Sequence, residues 1–284
     1  MKKYNPFNPN SVVSTNLFAG RTDYVLRILK KMEQVKKGMP ASFFLSGERG
    51  IGKTALAKLI MSITEKGDPS FGSLNFLTSY YSVDKGQNLG SALQASLNEL
   101  TDKMSPHVLD ILGKRMGSLL KNGKFTIGAF SLEMKPEDKN MAVRDQLISI
   151  LSNLIEAIKK EEENKRRDGI LIVIDEMQNI SDIELCAQLL RGIITTLDVK
   201  SLGNIAFMLI GYETALQDFF RGDPSARRQF DSISLSVMPV EEAKEVLTKG
   251  FNEAEVKRNF NEKILQVCMI FMAKPAPEKR SWMF

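Results

Sequence analysis

One stretch of this sequence has the residue types and spacing of a phosphate-binding loop. Residues 47–54 read Gly-Glu-Arg-Gly-Ile-Gly-Lys-Thr, which matches the pattern GxxxxGK[ST]. The glycines let the backbone curl so that N–H groups point at phosphate oxygens, and a helix N-terminus beyond them adds partial positive charge. Lys53 can reach the β- and γ-phosphates, and the Thr54 hydroxyl can ligate magnesium. The residues predicted to contact the nucleotide here are Gly47, Glu48, Arg49, Gly50, Ile51, Gly52, Lys53, Thr54 and Ala55.

A second stretch places two carboxylates after a buried strand. Residues 170–174 are consecutive aliphatic residues, as in a strand buried on both faces, and Asp175 and Glu176 follow. Ligands of open α/β sheets bind at the carboxyl ends of the strands. Asp175 would therefore hold magnesium, usually through water, and Glu176 would orient and deprotonate the attacking water. The other interpretation is an acidic pair that caps a strand at the surface.

The two stretches together separate classes of nucleotide enzyme. A small-molecule P-loop kinase seldom carries a base directly after the magnesium acid, and a signalling GTPase would show an NKxD motif, which this sequence lacks. The acidic pair therefore favours hydrolysis of ATP, with Lys53 and Glu176 as catalytic residues and Thr54 and Asp175 as magnesium ligands.

These motifs resemble those of initiator-type (origin-recognition-like) AAA+ ATPases and their STAND relatives. The resemblance is carried by NPFNP at 5–9, LFAGR at 17–21, the glycine-rich loop and IDEMQNI at 174–180. In that group the segment before the loop lines the adenine pocket. The resemblance therefore implies that Phe18, Gly20 and Arg21 lie beside the base or its neighbouring loop. A strap that packs on the core is the alternative.

The resemblance extends to residues 225–230, which read SARRQF. In the family an arginine at this place can act as an arginine finger toward a neighbouring subunit, because a guanidinium near the γ-phosphate stabilises transition-state charge. Arg227 or Arg228 would have this role, and the sequence does not choose between them. The alternative is a surface arginine paired with Asp223 or Asp231.

The sequence leaves two further assignments undecided, the polar sensor and the residues that follow the acidic pair. The polar sensor of the family is poorly matched, since Tyr212 or Thr214 would have to replace it, and this weakens the expectation of efficient turnover. Gln178 and Asn179 follow the acids and could position water or contact partners, or they could simply begin a loop.

Strand and helix patterns alternate along the chain, which predicts an α/β fold. We expect a parallel five-stranded P-loop NTPase sheet with helices on both faces and a short helical lid, in the order 5-1-4-3-2 that the resemblance implies. The predicted units are a strap over 1–21, a nucleotide-binding core over 22–238 and an apparently truncated lid over 239–284. The predicted strands cover 43–45, 76–83, 170–174, 205–210 and 232–237, with bent strands over 124–134. The predicted helices cover 22–37, 54–64, 89–104, 108–119, 139–165, a helix opened by a Ser181–Glu184 capping box, 240–250 and 261–272.

Composition limits the partners and the compartment. Residues 1–40 hold eight basic and two acidic residues, so this region could meet nucleic-acid phosphates. The alternative is a solvated helix face formed by five cations, Arg27, Lys30, Lys31, Lys36 and Lys37. Cys186 and Cys268 are the only cysteines, and the sequence has neither a signal peptide nor a long apolar run. We therefore expect a cytoplasmic protein without a membrane partner.

Two functions fit these observations. In the first, the chain is an ATPase that couples Mg-ATP binding and hydrolysis to a conformational change, and it acts on a protein or DNA partner or within a homo-oligomer. In the second, it is a slow STAND-like switch that retains ADP, signals through protein contacts and ignores DNA.

Overall fold

The computed structural model describes residues 20–67, 73–121, 123–125, 136–161 and 165–253. The strands are β1 (Ser42–Ser46), β2 (Phe76–Ser82), β3 (Leu120–Lys121), β4 (Lys124–Phe125), β5 (Gly169–Asp175), β6 (Ile205–Ile210) and β7 (Phe230–Ser234). The helices are α1 (Thr22–Lys36), α2 (Lys53–Lys66), α3 (Leu89–Asp102), α4 (Pro106–Met116), α5 (Pro136–Lys159), α6 (Ile183–Val199), α7 (Glu213–Gly222) and α8 (Val240–Glu253). Among the described helices, none combines the length and hydropathy that a bilayer span requires.

The central sheet has five parallel strands in the order β2-β5-β6-β1-β7, and β3 pairs with β4 as a separate hairpin. Counted along the chain without the hairpin, this is the predicted order 5-1-4-3-2. One apolar cluster packs α1 and α2 against one face of the sheet. A second packs the five helices from α3 through α7 against the other face. The prediction of an α/β sheet covered on both faces is therefore confirmed.

Strand order brings the two motifs together. The carboxyl ends of all five strands lie at the same end of the sheet because the strands are parallel. β1 and β5 flank β6 there. The end of β1 leads into the loop at 47–52, and β5 ends on Asp175. Neighbouring strands are about 4.8 Å apart, so a gap of roughly 10 Å separates the two strand ends. A side chain from α2 can bridge this gap.

Several predicted boundaries are wrong. The strand predicted over 232–237 begins at Phe230 and ends at Ser234, because its register is set by pairing Ser42 with Phe230 along β1. The helix predicted to reach residue 165 ends at Lys159. The lysines and glutamates beyond Lys159 are good helix formers, but the chain must turn there to enter β5.

The predicted capping box at Ser181 is also wrong. The helix α6 begins at Ile183, its N-cap is Asp182, and no side chain caps it. The backbone N–H of Ser181 instead donates to Gln87 O at 3.0 Å, and its hydroxyl donates to the same oxygen at 3.4 Å. The serine thus fastens this loop to the segment before α3. The strand prediction beyond residue 125 and the helix prediction over 261–272 fall outside the described residues.

A buried side-chain amide joins three elements at the amino ends of the strands. Asn204 precedes β6 and is 2% exposed. Its Nδ2 donates to the carbonyls of Val35 at 3.0 Å, Lys36 at 2.9 Å and Asp168 at 3.1 Å. Two of these carbonyls belong to the last turn of α1, where helix carbonyls lack intrahelical partners. Asn204 therefore joins the end of α1 to the starts of β5 and β6.

We expect Asn204→Ala to lower the free energy of unfolding by about 1–3 kcal/mol, because the carbonyls of Lys36 and Asp168 lose this donor, while that of Val35 keeps the N–H of Gly38. Denaturant unfolding followed by circular dichroism measures this change. The control is Asn153→Ala, since the Asn153 amide donates to Ser149 O within α5 at the surface. Equal stabilities for the two variants would contradict the assigned role of Asn204.

Candidate nucleotide-binding site

The loop between β1 and α2 has three glycines with positive φ, at positions 47, 50 and 52. Gly47 has a φ of 144°, and a Cβ atom there would lie 2.8 Å from the carbonyl oxygen of Leu235. Gly52 has a φ of 95° and precedes the first residue of α2 in the left-handed conformation. Side chains are disfavoured at both places. The glycine spacing of the motif thus corresponds to real backbone requirements at this turn.

Lys53 lies inside the loop that precedes it. Its Nζ donates to Gly47 O at 2.8 Å and to Glu48 O at 2.7 Å. Burial lowers the pKa of Lys53, although the carboxylates of Asp175 and Glu176 act in the opposite direction. The ammonium is therefore held among the groups predicted to contact phosphates.

Tyr212, one of the two predicted sensor candidates, lies beside this lysine. The Nζ atom of Lys53 is 5.3 Å from the centroid of the Tyr212 ring. Thr214, the other candidate, is exposed in the first turn of α7. Of the two, only Tyr212 has a contact with a predicted catalytic residue among the described contacts.

Thr54 and Asp175 meet directly. The hydroxyl Oγ1 of Thr54 donates to Oδ2 of Asp175 at 2.6 Å, and Asp175 is 3% exposed. The other carboxylate oxygen, Oδ1, accepts from the backbone N–H of Glu176 at 2.7 Å. Asp175 is thus no acidic cap on the protein surface. A hydroxyl and a carboxylate side by side are hard oxygen donors, so these residues fit magnesium chemically.

Glu176 has an unusual backbone conformation. Its φ of 60° and ψ of 41° are left-handed, which costs a residue with a side chain roughly 1–2 kcal/mol. The Nε2 atom of Gln178 donates to Oε2 of Glu176. Asn179 has a different contact, because its amide donates to Val83 O at 2.8 Å. Of the two open residues, Gln178 contacts the predicted base and Asn179 fastens the loop after β2.

Tyr80 is a residue of this site that the sequence analysis missed. It lies on β2, and its hydroxyl donates to Oδ2 of Asp175 at 2.8 Å. Burial raises the pKa of Tyr80, and the Asp175 carboxylate raises it further, so the phenol keeps its proton and acts as a donor. No motif signals this residue. Only the pairing of β2 with β5 places it here.

Arg21 packs against the loop. It is 4% exposed, and its Nη2 donates to Ile51 O at 2.6 Å and to Ser236 O at 3.4 Å. Burial lowers the pKa of its guanidinium. These contacts place Arg21 beside the loop, as the resemblance implies, whereas its role toward the adenine of the nucleotide stays a prediction. Phe18 falls outside the described residues.

Arg227 and Arg228 lie at the end of the sheet opposite the phosphate-binding loop. They belong to a 3-10 turn over Pro224–Arg228 that leads into β7, so they precede the amino end of that strand. The loop follows the carboxyl end of the neighbouring β1, about 15 Å away along a five-residue strand. The structure does not bring these arginines to the loop of their own chain. The predicted finger role therefore requires the loop of a second subunit.

The alternative partners predicted for these two arginines are engaged elsewhere. Asp223 pairs with Arg191, and Asp231 pairs with Arg27 and Lys31. Arg227 instead stacks over the ring of Phe220, with its Cζ 4.4 Å from the centroid. The predicted surface ion pairs with Asp223 and Asp231 are therefore not seen in the described residues.

The basic face of α1 is partly neutralised by two carboxylates. Arg27 and Lys31 share Asp231, and Lys36 lies 3.3 Å from Asp168. Three of the five cations predicted for a helix face thus have carboxylate partners. This pattern agrees with the solvated-face interpretation of the basic region better than with a phosphate-binding one.

Comparison with known proteins agrees with this geometry. The family described as "AAA ATPase domain" matches residues 17–204. No curated protein sequence matches the chain. Among solved structures, the ORC2 protein of Aeropyrum pernix in its ADPNP-ADP complexes is similar, with 17% identity and a TM-score of 0.53. That alignment covers 88% of this chain and 56% of the ORC2 chain.

Cdc6p from Pyrobaculum aerophilum is also similar, with 15% identity, a TM-score of 0.52, and coverage of 95% of this chain and 59% of that one. The chain thus spans somewhat more than half the length of either protein. At these identities the likeness concerns the fold alone. Because the family match covers the loop, the acidic pair and most of the sheet, the chain belongs to the AAA ATPase domain family.

Proposed function

We propose that this chain binds Mg-ATP at the loop over 47–54, hydrolyses it, and couples the reaction to a conformational change that acts on a partner. The observation that carries the proposal is the 2.6 Å hydrogen bond between Thr54 Oγ1 and Asp175 Oδ2. It joins the predicted phosphate loop to the predicted acidic pair within one site.

Each residue has a defined part in the proposed reaction. Lys53 exchanges its two loop carbonyls for phosphate oxygens and offsets their charge. Thr54 and Asp175 would hold the magnesium ion, which when bound neutralises charge on the phosphates. Glu176 accepts a proton from water as the water oxygen bonds to the γ-phosphorus. The bond from the γ-phosphorus to the β–γ bridging oxygen breaks, and ADP leaves with that electron pair.

A contact beside the loop supports the proposed coupling. Arg21 bonds to Ile51 in the loop and to Ser236, which lies between β7 and α8. A Cβ atom on Gly20 would lie 2.7 Å from Cβ of Glu242 in α8, so the two segments are in close contact. A shift of the loop on nucleotide binding would therefore displace α8, which is the described part of the predicted lid.

A slow switch is the second candidate, and one contact favours it. The Gln178 amide occupies an oxygen of Glu176 that a water molecule would otherwise approach. A donor on one carboxylate oxygen lowers the basicity of the group, which would slow proton removal from water. Slow turnover, one part of the STAND-like hypothesis, would follow from this contact.

We expect Lys53→Ala to abolish nucleotide binding, because it removes the only loop side chain predicted to reach the β- and γ-phosphates. Glu176→Gln should bind ATP with near wild-type affinity and lose at least 100-fold in turnover, since a general base typically contributes about 10²–10⁴-fold. Fluorescent-nucleotide titration and phosphate release measure the two effects.

The matched controls are Lys66→Ala at the exposed end of α2 and Glu184→Gln on the surface of α6. Both should behave as wild type. Normal hydrolysis by Glu176→Gln would show that the base is assigned wrongly.

Turnover per chain should rise with protein concentration, because Arg227 and Arg228 can reach only the loop of a second subunit. We expect an Arg227→Ala/Arg228→Ala variant to lose this rise and about 10³-fold of the maximal rate, the lower end of the range for an arginine finger. Phosphate release over a hundredfold concentration range tests this, with Arg221→Ala as the surface-arginine control. A concentration-independent rate shared by all three proteins would refute the role in trans.

Duplex DNA should leave ATP turnover unchanged at low salt, because ion pairs already engage Arg27, Lys31 and Lys36. Steady-state hydrolysis with and without DNA, repeated across a salt series, measures this. Stimulation that fades steeply as salt rises would instead favour an activity directed at DNA.

A further inference from the structure

We propose that Tyr80 is a positioning residue for the magnesium site, and that its phenol holds the Asp175 carboxylate in the orientation that binds the ion. The inference rests on the proposed function, since it concerns the same site. It adds a residue from a strand that carries neither of the two sequence motifs.

Three donors surround the Asp175 carboxylate. Oδ2 accepts from Thr54 Oγ1 at 2.6 Å and from the Tyr80 hydroxyl at 2.8 Å, while Oδ1 accepts from Glu176 N at 2.7 Å. Thr54 is itself a predicted ligand, and the Glu176 donor is backbone. Tyr80 is therefore the one donor among these three whose side chain has no other predicted part in the reaction.

Tyr80 is well placed to act as a fixed support. The register pairs Tyr80 with Val173 and Ser82 with Asp175, so the phenol reaches along the sheet toward a carboxylate two positions further on. Nζ of Lys58 lies 5.1 Å from the ring centroid, on the face of the ring. A ring held on β2 with a cation against it offers its hydroxyl in one direction.

The backbone of Tyr80 is also anchored from the outer side of the sheet. β2 is an edge strand, and the Tyr80 N–H donates to Oε2 of Glu99 on α3 at 2.9 Å. The next outward-facing carbonyl, that of Thr78, accepts from Lys103 Nζ at 2.8 Å. Glu99 of α3 and the C-cap residue Lys103 thus occupy the free edge of β2, which holds Tyr80 at its place beside Asp175.

Removing only the hydroxyl should affect the metal and leave the nucleotide contacts intact. Partners that hydrogen-bond to a ligating side chain typically contribute about 10–100-fold to metal affinity. We expect Tyr80→Phe to weaken Mg²⁺ binding about tenfold in the presence of ADP, and to leave metal-free ADP binding within twofold of wild type. A structural role alone would change thermal stability without this selective loss of metal affinity.

The experiment uses the full chain as wild type, Tyr80→Phe and Tyr81→Phe. Tyr81 is the matched control because it is the next residue, and its hydroxyl donates to Gln87 at 3.2 Å instead of to Asp175. A fluorescent ADP analogue is titrated with and without Mg²⁺. Mn²⁺ binding in the presence of ADP is followed by electron paramagnetic resonance, and the melting temperature of each protein is measured.

The inference is supported if Tyr80→Phe alone loses affinity for both metals while metal-free ADP binding is kept. It is overturned if Tyr80→Phe binds both metals within twofold of wild type, or if Tyr81→Phe loses as much; the proposed function then stands. A wild-type protein whose affinity for the ADP analogue does not depend on Mg²⁺ would overturn the inference and the proposed magnesium site together.

Discussion

A hydrogen bond of 2.6 Å between Thr54 and Asp175 spans the end of β6 and joins the two halves of the site. Neither residue could reach the other if another strand lay between β1 and β5, since each added strand widens the gap by about 4.8 Å. The strand order is thus a requirement of the chemistry. The helices on both faces serve it, because they bury the strands and leave only their carboxyl ends at the site.

Much of this arrangement could be predicted from the sequence because its signals are local. A run such as residues 170–174 is apolar on both faces only if helices cover both sides of the strand. The glycines at 47 and 52 signal left-handed backbone, and both have it. Family resemblance supplied the strand order, which periodicity alone does not determine. It also placed Arg21 near the loop.

The features that the sequence did not predict depend on contacts between segments far apart in the chain. Tyr80 belongs to the site only because β2 pairs with β5 in one register, and nothing in the residues around Tyr80 specifies that register. Ser181 has the spacing of a helix cap, but its backbone and hydroxyl bond to Gln87 instead. The helix at 139–165 ends early because the chain must return to the sheet. In these places tertiary structure outweighed local preference.

The Arg21 contacts have a consequence for the order of folding. One guanidinium closes loops of 30 residues to Ile51 and 215 residues to Ser236. Contacts over such sequence separations form late, because the entropy of closing the chain must first be offset by the rest of the structure. We therefore expect this corner to be among the last parts to assemble and the first to open. A nucleotide seated there would stabilise the native state as a whole, because only the closed corner can bind it.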